Sequence, residues 1–211
     1  MKDSIRQTLR DVLVFALLIA IGVVGRWAQP MWCFTPIAAV AVFAGFYFSR
    51  IGVALLVPLA VLAISDLWLP AYRSAAGMLA TYAAMTVPVL LGRLPRGKHA
   101  VWSTAWRWAV CGLVPATLFY LLTNFAVWAF QSMYPKTLAG LVDCYWAAVP
   151  FYRSMVAGDV LYLAVVFGCW ALAGARRPSI VDSRRAQSHE HATSATRAGN
   201  SAPPARMVRM R

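Results

Sequence analysis

Apolar residues do not alternate with polar ones along this chain. They come in blocks, from about Val12 to Val24, Pro36 to Phe48, Ile51 to Leu67, Ala75 to Leu91, Ala109 to Phe130 and Met155 to Ala173, and polar residues gather between the blocks. A helix crossing a hydrocarbon core of about 30 Å needs roughly 20 largely apolar residues, because its backbone N–H and C=O groups must be satisfied inside the segment. The pattern therefore predicts an all-α polytopic membrane protein with six transmembrane helices. A further apolar stretch, Thr137 to Tyr152, carries Asp143 near its centre and Pro150 near its end. It is expected to form an outer-face loop holding a short interfacial or re-entrant helix, with Tyr145 and Trp146 at the headgroup level.

Charge orients these segments. With six spans and the N-terminus inside, the cytoplasmic side receives Lys2, Arg6, Arg10, Arg50, Arg93, Arg96, Lys98, Arg107 and the eight basic residues between Arg176 and Arg211. Only Arg26, Arg73, Lys136 and Arg153 remain outside. Merging the second and third blocks into one helix would move the Arg93–Arg107 cluster outside, against the positive-inside bias, and a seventh span would export the basic tail. The expected location is thus the inner (plasma) membrane, with both termini cytoplasmic. No clean cleavage site follows the first block, which is read as a retained helix.

Composition then excludes the main soluble alternatives. A chain of 211 residues that is 61% hydrophobic and 13% charged has more apolar surface than a domain of that size can bury. Its formal charge of +13 would suggest nucleic-acid binding in a soluble protein, but the positive charges lie in loops and tail and not on one face. The division expected is a transmembrane domain over 1–174 and a basic tail over 175–211. Rich in Arg, Ser, Ala and Pro, the tail has little to bury and is expected to be disordered and to attach to anionic lipid.

Candidate chemistry is confined to a few polar side chains near spans, where each needs a partner or a water-filled cavity. Asp66 ends the third helix, Asn124 lies in the outer half of the fifth, and Asp159 begins the sixth. Along the fifth, Thr117, Tyr120, Asn124, Trp128 and Gln131 recur at intervals of three and four, which puts them on one face. Tyr120, Asn124, Trp128, Asp159 and Asp66 are accordingly the candidate substrate-binding residues of an outward-facing pocket for a small-molecule ligand. The competing reading is that Asn, Thr and Tyr only hydrogen-bond neighbouring helices, and that Asp66 or Asp159 pairs with Arg26, Arg73 or Arg153. Cys33 and Cys144, both expected on the outer side, can form a disulfide there or remain two free thiols.

Enzyme signatures are poor. His99, His189 and His191 fall in a cytoplasmic loop and the tail, the four cysteines lack CxxC spacing, and there is no phosphate-binding loop. No cofactor, metal or catalytic residue is expected; a membrane-embedded enzyme ranks last, behind a capture subunit and a non-transporting membrane scaffold.

At Cys33-Phe34-Thr35-Pro36, Ala44-Gly45, Pro58, Ser65-Asp66, Thr123-Asn124-Phe125 with Trp128, and Gly140-Leu141 with Cys144-Tyr145, the chain resembles an uncharacterised family of small bacterial membrane proteins. The likeness runs from the first helix to Ala173; the first motif in that family reads Asn-Phe-Thr-Pro, from which Cys33 departs. In helix count and layout the family is similar to the substrate-binding S components of energy-coupling-factor transporters. That resemblance implies a vitamin-like nutrient captured on the outer side. It also implies docking of the first helix, through the small residues Ala16 and Ala20, on a separate transmembrane scaffold driven by two ATPases.

Overall fold

A computed structural model describes residues 2–31, 33–94 and 101–175 of the chain. The described elements are all helical: α1 (Lys2–Trp27), α2 (Ile37–Tyr47), α3 (Ile51–Asp66), α4 (Ala75–Ala84), α5 (Val87–Leu91), α6 (Val101–Phe130) and α7 (Leu138–Ala175). The chain divides into two compact units, Met1–Gly168 and Cys169–Arg211, and the helix packing and cavities belong to the first. Arg96, Lys98, His99 and the tail over 176–211, with its expected disorder and lipid attachment, lie outside the described residues.

Side chains that meet fix the direction of each helix. Phe15 of α1 packs edge-on against Phe48 just beyond α2, and Arg10 donates to the Tyr47 hydroxyl at 3.1 Å, while Gly25 lies against Pro36, so α1 and α2 run in opposite directions. Gly22 against Val61 and Arg26 beside Asp66 make α1 and α3 parallel. Phe34 meets Tyr162 and Phe43 meets Phe167, so α2 and α7 are parallel. The α6–α7 pair is antiparallel: Tyr120 packs on Tyr145 near one end, and Cys111 shares a core cluster with Leu163 near the other. Gly77 lies near Gln131 and Cys111 donates to the Leu91 carbonyl at 3.4 Å, so α4 and α5 run opposite to α6, and with these two counted as one interrupted helix the six helical segments alternate in direction.

The interruption has a covalent cause. Pro88 supplies no N–H to continue the α4 ladder, and the last turn closes through Met85 N–H to Thr81 O and Thr86 N–H to Ala83 O. Upstream, the Ser74 hydroxyl caps α4 by accepting the Gly77 N–H at 3.1 Å.

At the centre lies α2. Every residue from Ile37 to Gly45 is buried, as expected of a helix that is apolar all round. Its 11 residues span about 16 Å, so by length it is a core helix first. It approaches α5 backbone to backbone. A Cβ on Gly45 would overlap the Val89 carbonyl, and one on Gly92 would overlap the Val42 carbonyl, so two glycines, one on each side, permit the contact.

Around this core the outward surface is apolar. On α1, Ile5, Leu9, Leu13, Leu17 and Val24 are 57–62% exposed at intervals of four and seven residues, and Trp106 and Val165 are similarly exposed on α6 and α7. Such a face is unfavourable in water and natural in lipid. Three helices are long and apolar enough to cross a membrane, Ile5–Trp27, Trp106–Phe130 and Leu138–Ala173, while Ile37–Tyr47, Ile51–Asp66 and Ala75–Leu91 are shorter.

One element departs from expectation. The stretch Thr137 to Tyr152 is not a loop with a separate short helix: it is continuous with the expected sixth helix in α7, 38 residues and about 57 Å long. Thr137 starts it, its hydroxyl accepting the Gly140 N–H at 3.1 Å. Pro150 does not break it, because the one helical bond it removes would end on Trp146, and both residues are exposed and not enclosed by the bundle. The charges Asp143 and Arg153 both fall in the first half of α7.

Candidate functional site

Where α1, α3 and the following loop end together, an ion pair organises the surroundings. Arg26, in the last turn of α1, pairs with Asp66, the last residue of α3. A carboxylate at a helix C-terminus opposes the helix dipole, and the guanidinium offsets it. Arg26 also donates to Ser65 Oγ at 2.5 Å and to the Tyr72 hydroxyl at 3.3 Å, while Tyr82 donates to the second Asp66 oxygen at 3.0 Å. Burial pushes the Tyr72 phenol above its ordinary pKa, with Arg26 pulling the other way, so it stays a neutral hydroxyl in this cluster. Both charged side chains are four-fifths or more buried, and their hydrogen-bonding atoms are well matched.

Beneath this cluster lies a cavity of about 320 Å³. Arg26, Gln29, Leu69 and Pro70 line it at the helix ends, and Leu62, Met85, Pro115, Phe119 and Met155 supply apolar walls. Asp159, in α7, is the acidic group in the lining. It is 4% exposed, and its Oδ2 is buried with no hydrogen-bond partner. A buried carboxyl oxygen without a donor is costly, so water or another donor in the cavity would stabilise it.

The five candidate residues separate on this geometry. Asp159 lines the cavity; Asp66 does not, but holds Arg26 that does. Tyr120 donates to the Tyr145 carbonyl at 2.6 Å and packs at a tilt against the rings of Tyr145 and Tyr152, so it serves the α6–α7 seam. Trp128 donates from Nε1 to the Pro135 carbonyl at 2.9 Å and carries Lys136 near its ring, fastening the α6–α7 turn. Asn124 returns its amide to the Tyr120 carbonyl of its own helix at 2.8 Å and lines a neighbouring cavity of about 550 Å³ between α4, α6 and α7. The expected single pocket is therefore two cavities plus a helix seam. Pro115 and Phe119, one turn apart on α6, are the wall that the polar stripe hid, since the stripe itself faces α7.

Among the described residues all four cysteines are free, so Cys33 and Cys144 are two thiols. Cys144 donates to the Asn124 carbonyl at 3.5 Å. Cys33 lines the Asp159 cavity with φ 62, in the left-handed region that Gly and Asn tolerate best. Burial raises its thiol pKa, which keeps it protonated and slow to react.

A family model described as a family of unknown function (DUF6580) matches residues 6–181, and the chain belongs to that family. No curated protein and no solved structure matches the chain.

Proposed function

We propose that this member of the DUF6580 family is a multi-pass protein of the inner membrane that captures a small molecule at its outer face as the binding subunit of an importer. In this reading all six passes span the bilayer and both termini are cytoplasmic. Support comes from the positive-inside bias: Arg10, Arg50, Arg93 and Arg107 sit at one end of the alternating helices, and the cavity opens among Arg26, Gln29 and Pro70 toward the other. With a hydrocarbon core of about 30 Å, α7 is nearly twice the length needed, so its first half, with Asp143 and Arg153, stands in or beyond the outer headgroups.

The observation that carries the reading is Asp159, a nearly inaccessible carboxyl group with an unanswered oxygen facing a cavity whose walls are mostly apolar. The analogy to energy-coupling-factor S components adds a place for a partner: Ala16 and Ala20 are both exposed on α1, and on that analogy a transmembrane scaffold with its ATPases would dock there. The test is extraction and mass spectrometry of small molecules from protein purified in mild detergent. A compound near stoichiometric in the wild type and lost in Asp159→Leu is expected; if no compound travels with the wild type and none can be loaded, the capture role is lost.

A second reading, a non-transporting membrane scaffold, is favoured by Tyr120 and Trp128, whose hydrogen bonds join α6 to α7. It predicts that deleting the tail after Ala175 alters complex formation while Asp159 substitutions change only stability.

A further inference from the structure

Resting on the capture reading, we propose that the cavity takes a small organic monocation, a protonated amine on an apolar body, with its N–H donors on Asp159. The electrostatics of the lining favour this class. Arg26 is already committed to Ser65, Asp66 and Tyr72, so the group in the lining that lacks a partner is the acidic one. An anion would have to displace Asp66 from Arg26 and then sit close to a second carboxylate in a medium where like charges are poorly screened. A neutral apolar molecule would leave Oδ2 as it is, buried and unbonded.

The remaining wall fits the rest of such a ligand. Leu62, Met85, Phe119 and Met155 offer apolar and polarizable surface, and the Phe119 ring adds a face suited to a cation. A volume of about 320 Å³ is at the small end of ligand sites. A bare metal ion fits less well. Among the described residues no three His, Cys, Asp or Glu side chains converge, so a divalent ion there would gain one carboxylate and leave most of its coordination unfilled.

The experiment uses the full chain in lipid nanodiscs and three probes sharing one ring but differing in charge: benzylammonium, benzyl alcohol and benzoate. Calorimetric titration and the thermal midpoint are read for wild type and Asp159→Asn. Saturable binding of benzylammonium, weakened about ten- to a hundredfold in Asp159→Asn, is expected, because one charge-assisted hydrogen bond is lost. The unliganded melt of Asp159→Asn checks that the variant is folded. Benzoate or benzyl alcohol binding as tightly as the amine, amine binding that survives Asp159→Asn, or no binding of any probe up to its solubility would overturn the proposal. A neutral or anionic compound recovered from the wild type and lost in Asp159→Leu would remove the cation assignment and leave capture standing; recovery of no compound, with none loadable, would remove capture itself.

Discussion

Replacing Asp159 with leucine should make the empty protein more stable. In most buried sites such a change is neutral at best, but here the carboxyl group has an oxygen that nothing in the described protein satisfies, and it adjoins a cavity of about 320 Å³ able to accept the bulkier methyl groups that replace the two oxygens without overpacking. On protein mutational data an unsatisfied buried polar group costs about 1–3 kcal/mol, so its removal should return about that much. For a chain of this size 1 kcal/mol corresponds to roughly 2–4 °C in Tm, so Asp159→Leu should melt about 2–12 °C above wild type when both are stripped of ligand. Asp159→Asn keeps a polar group in the same place and should move the midpoint far less. The assay is intrinsic tryptophan fluorescence or differential scanning fluorimetry in detergent, with and without ligand extract. A fall of several degrees in Asp159→Leu would mean that the carboxylate holds helices together, and the reasoning from its missing partner would be refuted.

Other substitutions probe the rest of the account. Gly45→Leu or Gly92→Leu should cost about 1–3 kcal/mol or prevent assembly, since the new side chain meets a carbonyl of the facing helix; folded yield in detergent reads this, and unchanged yield would refute the close α2–α5 approach. Asp66→Asn should destabilise by about 1–3 kcal/mol by leaving Arg26 without its counter-charge, and an added Arg26→Gln should restore part of the loss, as a double-mutant cycle will measure. Cys33→Gly should stabilise by about 1 kcal/mol by relieving the left-handed backbone, visible as a higher melting midpoint. Because burial pushes the Cys33 thiol above its ordinary pKa, its maleimide labelling should be slow near neutral pH and should reach its half-maximal rate at a higher pH than an exposed thiol does. Tyr120→Phe should cost about 1 kcal/mol of stability with ligand retention intact, since its hydroxyl serves the α6–α7 seam.

Much of this fold was legible because apolar blocks and the charges between them are long-range signals that packing does not overturn. The helical class and the blocks that form α1 to α6 follow from them. The character of α7 did not, because Pro150 and Asp143 are read locally as interruptions, whereas a helix of 38 residues with that face exposed tolerates both. The site was legible in part. Asp159 stands out as an acidic residue beside a span, and its position in the lining needed only the direction of α7. Which face of α6 meets the cavity depends on how that helix is rotated against α7. Periodicity groups Thr117, Tyr120, Asn124 and Trp128 but cannot say whether the group faces a ligand or a neighbouring helix, and the tyrosine-rich side of α7 decided for the neighbour. The Asp66–Arg26 pair was among the alternatives open from the sequence, because a carboxylate and a guanidinium at matching helix ends seek each other.

The most direct test is a high-resolution electron cryomicroscopy map of the protein carried from its own membrane into nanodiscs without detergent exchange. Non-protein density among Phe119, Met85 and Met155, with a donor atom about 3 Å from Asp159 Oδ2, is the result expected. A collapsed cavity, or one in which a protein side chain reaches that oxygen, would contradict the account.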